Sequence, residues 1–150
     1  MESELGSVGL ARDRWGENAD LFTKPDTVAY FCRETGVDSL AIAIGNAHGD
    51  YLQTPKLDLR RLDEIDAVTD TPLVLHGGSG IPDDQLAQAF RRGINKFNYG
   101  TDVKRCYIQA IHAYMAEHEP PQSLDVLGSP AAAQAAMTAF IARRLELSKM

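Results

Sequence analysis

Four short apolar runs punctuate the chain, each closed by Gly or Asn and followed by a stretch with helical spacing. They lie around Glu2–Gly6, at Ser39–Gly49 (SLAIAIGNAHG), at Pro72–Gly80 (PLVLHGGSG) and at Asn95–Thr101 (NKFNYGT). Continuous apolar runs of this length suit strands buried on both faces, as in a parallel sheet. Helical patterns fill the gaps. Lys24-Pro25-Asp26 opens one, with Val28, Phe31 and Cys32 as its apolar stripe and Gly36 as its stop. A second spans about Asp58–Val68, with Leu59, Leu62 and Ile65 in register. A third starts at Ile81-Pro82-Asp83-Asp84, buries Leu86, Ala89 and Phe90, and ends near Gly93. A fourth covers about Asp102–Glu117 on Val103, Cys106, Tyr107, Ala110 and Met115. Pro120–Gly128 reads as a polar linker, and an alanine-rich helix follows Ser129-Pro130 to near Met150.

The predicted order is β-α-β-α-β-α-β-α-α. Strands about 25 to 35 residues apart are βα units without long inserts. Such alternation implies an α/β fold with a parallel sheet and right-handed crossovers. A complete eight-fold barrel needs roughly 250 residues. A chain of 150 with four units is half of one.

Composition narrows the partners. The net charge is −6, whereas a nucleic-acid binder carries a basic face. The basic pairs Arg60-Arg61, Arg91-Arg92 and Arg143-Arg144 fall in helical segments and read as solvated faces. Cys32 and Cys106 lie far apart in apolar-periodic segments, as reduced core thiols of a cytoplasmic protein do. The longest apolar run, Leu40–Ile44, is far below the ~20 residues of a membrane span. MESELGSVG has neither the basic start nor the apolar stretch of a signal peptide.

The unusual residues cluster at the carboxyl ends of the predicted strands, where parallel α/β folds place function. His48 follows the second strand, His76 ends the third, and Asn98, Tyr99, Gly100 and Thr101 end the fourth. The two histidines read either as structural residues or as ligands of a shared zinc, which takes neutral imidazoles and about three protein ligands. Gly77-Gly78-Ser79-Gly80 leads into a helix start; it is either a tight turn or an anion cradle of backbone amides. Lys96 is either an ion-pairing lysine or a Schiff-base nucleophile. His112 and His118 belong to the helix surface.

The segments ADLFTKPDTVAYFCRETGVDSLAIAIGNAHGDY and PLVLHGGSGIPDDQLAQAFRRGINKFNYGTD, with the opening ESELGSVG, resemble the class II, metal-dependent ketose-bisphosphate aldolases. The likeness is closest to the fructose- and tagatose-bisphosphate branch. It covers nearly the whole chain as one partial barrel domain, 1–150, and implies the carboxyl-terminal half of a TIM (β/α)8 barrel. It implies zinc ligation by His48 and His76, with Glu4 of S-E-L-G matching a family glutamate near the metal. It implies that Gly49, Gly77, Gly78, Ser79, Asn98, Tyr99, Gly100 and Thr101 hold the phosphate and carbonyl end of dihydroxyacetone phosphate. The implied reaction is reversible aldol cleavage of fructose or tagatose 1,6-bisphosphate, a step of carbohydrate metabolism and glycolysis. A monovalent cation can accompany the zinc.

Two departures limit that expectation. The family's remaining zinc histidine and its acid–base aspartate belong to the first half of the barrel, and no segment here matches them, so no catalytic residue is assigned. Where the family has a glycine-glycine-x-glutamate-aspartate loop, this chain reads Gly9-Leu10-Ala11-Arg12-Asp13. A guanidinium cannot accept the proton that a glutamate would. The chain then reads as a fragment, a truncated product or a decayed copy. It is expected to turn over slowly alone, or to be a non-catalytic metal- and phosphate-binding remnant. Open sheet edges and an apolar inner face would draw it to a second copy or a complementary half.

Overall fold

The computed structural model describes residues 1–13, 17–118 and 127–149. Four strands, β1 (Glu2–Leu5), β2 (Ser39–Ile42), β3 (Leu73–Leu75) and β4 (Ile94–Phe97), form one parallel sheet in the order β1-β2-β3-β4. Between them run α1 (Pro25–Thr35), α2 (Leu59–Asp66) and α3 (Asp83–Arg91); α4 (Thr101–Glu117) and α5 (Gly128–Glu146) follow. Sequential parallel neighbours with a helix in every crossover make the wall of a half-barrel. The strands are shorter than the apolar runs, because Ala43–His48 leaves the ladder to build a loop at the strand end.

Local chemistry sets the helix ends. Pro25 stands in the first turn of α1, where its missing N–H costs nothing, and Gly36 closes the helix at φ +62° with its amide on Cys32 O. Asp58 caps α2 by accepting from Arg61 N at 3.0 Å. Val28 and Cys32, Leu62 and Ile65, and Leu86 and Ala89 turn their faces inward. They meet Leu40, Ile42, Ile44, Leu73 and Leu75 in one core on the helix side of the sheet.

The opposite face corrects an expectation. The register aligns Glu4 with Ala41, Ala41 with Val74 and Val74 with Lys96. Alternation then places Glu2, Glu4, His76 and Lys96 together on the inner face. That face is polar rather than apolar, with small Ala41 and Val74 at its floor.

α4 also departs from its reading. None of its residues is buried, and Tyr107 and Met115 of the expected stripe are exposed. It packs chiefly along α5 and scarcely touches the sheet, so its apolar face meets one neighbour instead of a layer. Cys32 is buried as a core thiol, whereas Cys106 on α4 is half-buried. The basic pairs split: Arg60, Arg91, Arg92 and Arg143 are exposed, but Arg61 reaches Thr23 O and Arg144 lies over Tyr99 and Phe140. The predicted linker Pro120–Gly128 lies outside the described residues except for Leu127 and Gly128, which cap and begin α5. Among the described residues, no helix is long and apolar enough to cross a membrane.

Candidate metal and phosphate site

Three side chains from three units converge at the rim. One ligand atom each of Glu4, His48 and His76 lies within 4.8 Å of the other two, and the imidazole centroids are 5.8 Å apart. Nδ1 of His76 is 3.3 Å from Glu4 Oε2. Zinc–ligand bonds of about 2.0–2.2 Å in a tetrahedron put neighbouring ligands roughly 3–4 Å apart. Glu4 and His76 already have that spacing, and a small swing of the exposed His48 ring completes a three-donor set. Two imidazoles and a carboxylate are donors that zinc accepts while keeping an open position, so these residues fit the metal.

The far nitrogen of His76 has its own partner. Nε2 lies 3.1 Å from Glu2 Oε1, and the other Glu2 oxygen accepts from Lys96 Nζ at 2.7 Å. The hydrogen bonds from Lys96 and His76 hold the Glu2 carboxyl below its usual range. A carboxylate on the remote nitrogen of a metal-binding histidine fixes ring orientation. The sequence reading missed Glu2, although its two-residue spacing from Glu4 on a strand was the available signal. Lys96 proves to be the ion-pairing lysine; a carboxylate-bound ammonium is a poor Schiff-base nucleophile.

The loops carrying the histidines are fixed from several sides. His48 bridges the segment after β1: its amide donates to Gly9 O and its carbonyl accepts from Ala11 N, both at 2.8 Å. Buried Asn46 accepts from Ile44 N at 2.8 Å and donates to Ile42 O at 3.2 Å and to His76 O at 3.1 Å. Tyr51 OH accepts from Ala47 N at 2.7 Å and donates to Gly77 O at 3.2 Å. Burial pushes the Tyr51 phenol up to about 12.

Beside the histidines a cleft of about 310 Å³ is lined by His48, Gly49, Gly77, Ser79, Asn98, Tyr99, Gly100, Thr101 and Lys104. Every phosphate candidate from the sequence except Gly78 lines it. Gly78 is buried and its amide donates to Asn98 O at 3.0 Å, so the expected convergence of that N–H on the cleft does not occur. The Gly80 amide is likewise taken up, by Asp102 Oδ2 at 3.2 Å. Ser79 Oγ accepts from Asp102 N at 3.0 Å, which leaves its hydroxyl hydrogen for another acceptor. Gly100 caps α4 without any side-chain bond, but the Asp102 amide is taken up by Ser79 Oγ and the Lys104 amide by Gly100 O, so of the first turn it is Thr101 that lines the cleft. The Tyr99 ring turns toward Phe97 and Phe140, and burial pushes its phenol up to about 12.

Lys104, one turn into α4, is a cleft residue that sequence reading missed; its spacing from Thr101 was the signal. Arg105 is a second omission. It pairs with Asp102 at 2.7 Å and with Asp50, offsetting one of the two negative charges beside the cleft. Arg12 and Asp13 sit in an exposed turn and pair with each other at 3.7 Å.

The family model "Fructose-bisphosphate aldolase class-II" matches residues 1–150. The YdjI aldolase of Escherichia coli K12 is 32% identical, with a TM-score of 0.75; the match covers 97% of this chain and 48% of that one. A putative fructose-1,6-bisphosphate aldolase of Coccidioides immitis is 25% identical at TM-score 0.80, covering 99% of this chain and 51% of its own. The fructose-bisphosphate aldolase of Campylobacter jejuni shares the fold at 22% identity and TM-score 0.78, with 99% and 51% covered. The chain therefore spans about half the length of the solved proteins it matches.

Proposed function

The chain belongs to the class II fructose-bisphosphate aldolase family, and from that premise we propose that residues 1–150 form one partial barrel domain bearing the metal- and phosphate-binding half of an aldolase site. The observation that carries the reading is the convergence of Glu4, His48 and His76 beside the Ser79–Lys104 cleft. The proposed substrate is a ketose bisphosphate, fructose or tagatose 1,6-bisphosphate. Cleavage of its C3–C4 bond yields dihydroxyacetone phosphate and glyceraldehyde 3-phosphate. Zinc, when bound by Glu4, His48 and His76, supplies Lewis acidity to the ketone oxygen.

The chain's own residues do the rest that this half can do. The Ser79 hydroxyl, the Thr101 amide at the start of α4 and the Lys104 ammonium bind the phosphate of the dihydroxyacetone phosphate end. Gly49, Gly77, Asn98 and Gly100 shape the cleft around it. Glu2 holds the His76 ring, and Lys96 balances the charge of Glu2. Anchoring the phosphate fixes the reacting carbons near the metal. The acid–base group that must move the proton comes from outside this set, since Asp50 is engaged by Arg105 and Arg12 is a cation.

A second reading is favoured by the sheet edges at β1 and β4, which pair with no further strand among the described residues. In it the chain is a binding half that needs four further strands, from a second copy or a complementary half, before it turns over. Zinc titration of the purified chain, then dihydroxyacetone phosphate, tests the binding claims. The wild-type chain binds both, and His76→Ala loses zinc. Absence of zinc binding by the wild type overturns the metal assignment. Turnover of either bisphosphate by the chain alone at about one per second or faster, within the ordinary enzyme range, overturns the half-site reading.

A further inference from the structure

Resting on the metal-site reading above, we infer that Tyr51 is a positioning residue: its hydroxyl joins the two loops that carry His48 and His76 and so sets the spacing of the two imidazoles. The phenol oxygen accepts from the amide of Ala47, the residue before His48, and donates to the carbonyl of Gly77, the residue after His76. One atom thus spans the ends of two neighbouring strands, one peptide away from each ligand. The loops already touch there, since a Cβ on Gly77 would lie 2.1 Å from Ala47 O. The ring is fixed as well. It packs against the core and against Gly80, where an added Cβ would stand 3.1 Å from Tyr51 Cδ2. A rigid aromatic with few rotamers holds such a hydroxyl in place at little entropic cost.

Asn46 braces the same two loops from the side of the strands, through Ile42 O and His76 O. That brace is independent of the phenol. Tyr51→Phe therefore keeps the ring and the Asn46 bonds and removes only the outer cross-link, so the variant folds. It leaves the amide of fully buried Ala47 without its acceptor. Groups that orient metal ligands without touching the metal typically change affinity by 10–100-fold when lost.

The experiment compares three proteins: wild type, Tyr51→Phe, and Ile65→Val, a core truncation on α2. Zinc affinity is measured by competition with a chromophoric chelator. Imidazole signals and amide exchange are followed by NMR in the metal-free chains. The expected result is a 10–100-fold loss of zinc affinity in Tyr51→Phe only. In the same variant the His48 and His76 ring signals both shift and broaden, and exchange of the Ala47 amide quickens. Ile65→Val loses stability while its zinc affinity and histidine signals stay those of the wild type. Wild-type zinc affinity in Tyr51→Phe overturns the inference. If the wild type binds no zinc, the metal reading fails separately. The spectra then decide on Tyr51, with unchanged imidazole signals and Ala47 exchange overturning it.

Discussion

Three glycines line the cleft, and replacing each by alanine separates backbone strain from steric conflict. Gly77 has φ +66° and faces the Ala47 carbonyl; a Cβ there would stand 2.1 Å from that oxygen. An L-residue in the left-handed region costs roughly 1–2 kcal/mol. The oxygen must also retreat about 0.9 Å to reach even the 3.0 Å below which real Cβ contacts essentially never fall. Overpacking of that kind typically costs about 1–3 kcal/mol. Gly77→Ala should thus lose about 2–5 kcal/mol, a large share of the roughly 5–15 kcal/mol that holds a domain folded. For a chain of this size that is a fall in Tm of roughly 4–20 °C. The displaced carbonyl precedes His48, so zinc affinity should fall with stability. Gly49 has φ +91° but nothing within 4 Å of an added Cβ, so Gly49→Ala should show the strain alone, about 1–2 kcal/mol. Gly100 has negative φ and open space, and Gly100→Ala should stay within about 1 kcal/mol of wild type. Thermal and urea unfolding with a parallel zinc titration make the comparison. Equal stability in all three variants, or wild-type zinc affinity in a destabilised Gly77→Ala, would refute the reasoning.

Ser79→Ala removes a hydroxyl from the cleft and should weaken binding of dihydroxyacetone phosphate by about 1–2 kcal/mol in calorimetry. Unchanged affinity would exclude a direct contact. Lys104→Gln should weaken phosphate binding by a smaller factor that shrinks as salt is raised, because the lysine is exposed and screened. A loss independent of salt would assign it another role. Tyr51 and Tyr99 should ionise late in an alkaline absorbance titration, their phenols being pushed up to about 12 by burial. The neutral phenol is the favoured folded form, so the stability they add is complete below about pH 10 and is lost as pH rises toward 12. Stability that stays flat across that window would contradict the burial assignment.

Much of this architecture was legible because each βα unit carries its own instructions. Pro25 and Gly36 frame α1, Asp58 opens α2, and the apolar runs mark strands, all by local chemistry that a reader of sequence can apply. His48, His76 and the Gly77–Thr101 candidates were legible for a further reason: they directly follow strands, so topology alone brings them to one rim. The pairing of Glu2 with Lys96 was not, since it depends on the register between residues 94 positions apart in sequence. The polar inner face was hidden for the same cause. The role of Gly78 was misread because its glycine character signalled a free amide, whereas Asn98 O takes that amide up. The α4 stripe looked like a core face because periodicity reports amphipathicity and not what lies opposite. Tyr51 carried no signal at all; an aromatic in a polar loop becomes informative only when two backbones arrive at its hydroxyl.

For an acidic chain to hold an anion beside two histidines and a carboxylate, as proposed, its charges must be sorted locally. The net charge of −6 has little bearing on the cleft, because exposed charges beyond about 8–10 Å are largely screened. What matters is that the nearest carboxylates are engaged. Asp50 and Asp102 share Arg105, and Glu2 is tied to Lys96 and His76. Asp102 would otherwise set a negative charge in the first turn of the helix that faces the phosphate. With that charge partly offset by Arg105, the α4 N-terminus, the Ser79 hydroxyl and Lys104 are the groups that would favour an anion in the cleft on the proposed reading. On the other side, Glu4 keeps an oxygen toward the histidines, which is where a dication requires it. The proposed anion and cation sites thus lie side by side, joined by the short His76–Ser79 segment. On that reading any shift of the segment would displace the metal ligand His76 and the phosphate donor Ser79 together, so the backbone that makes the two sites neighbours would also make them respond as one.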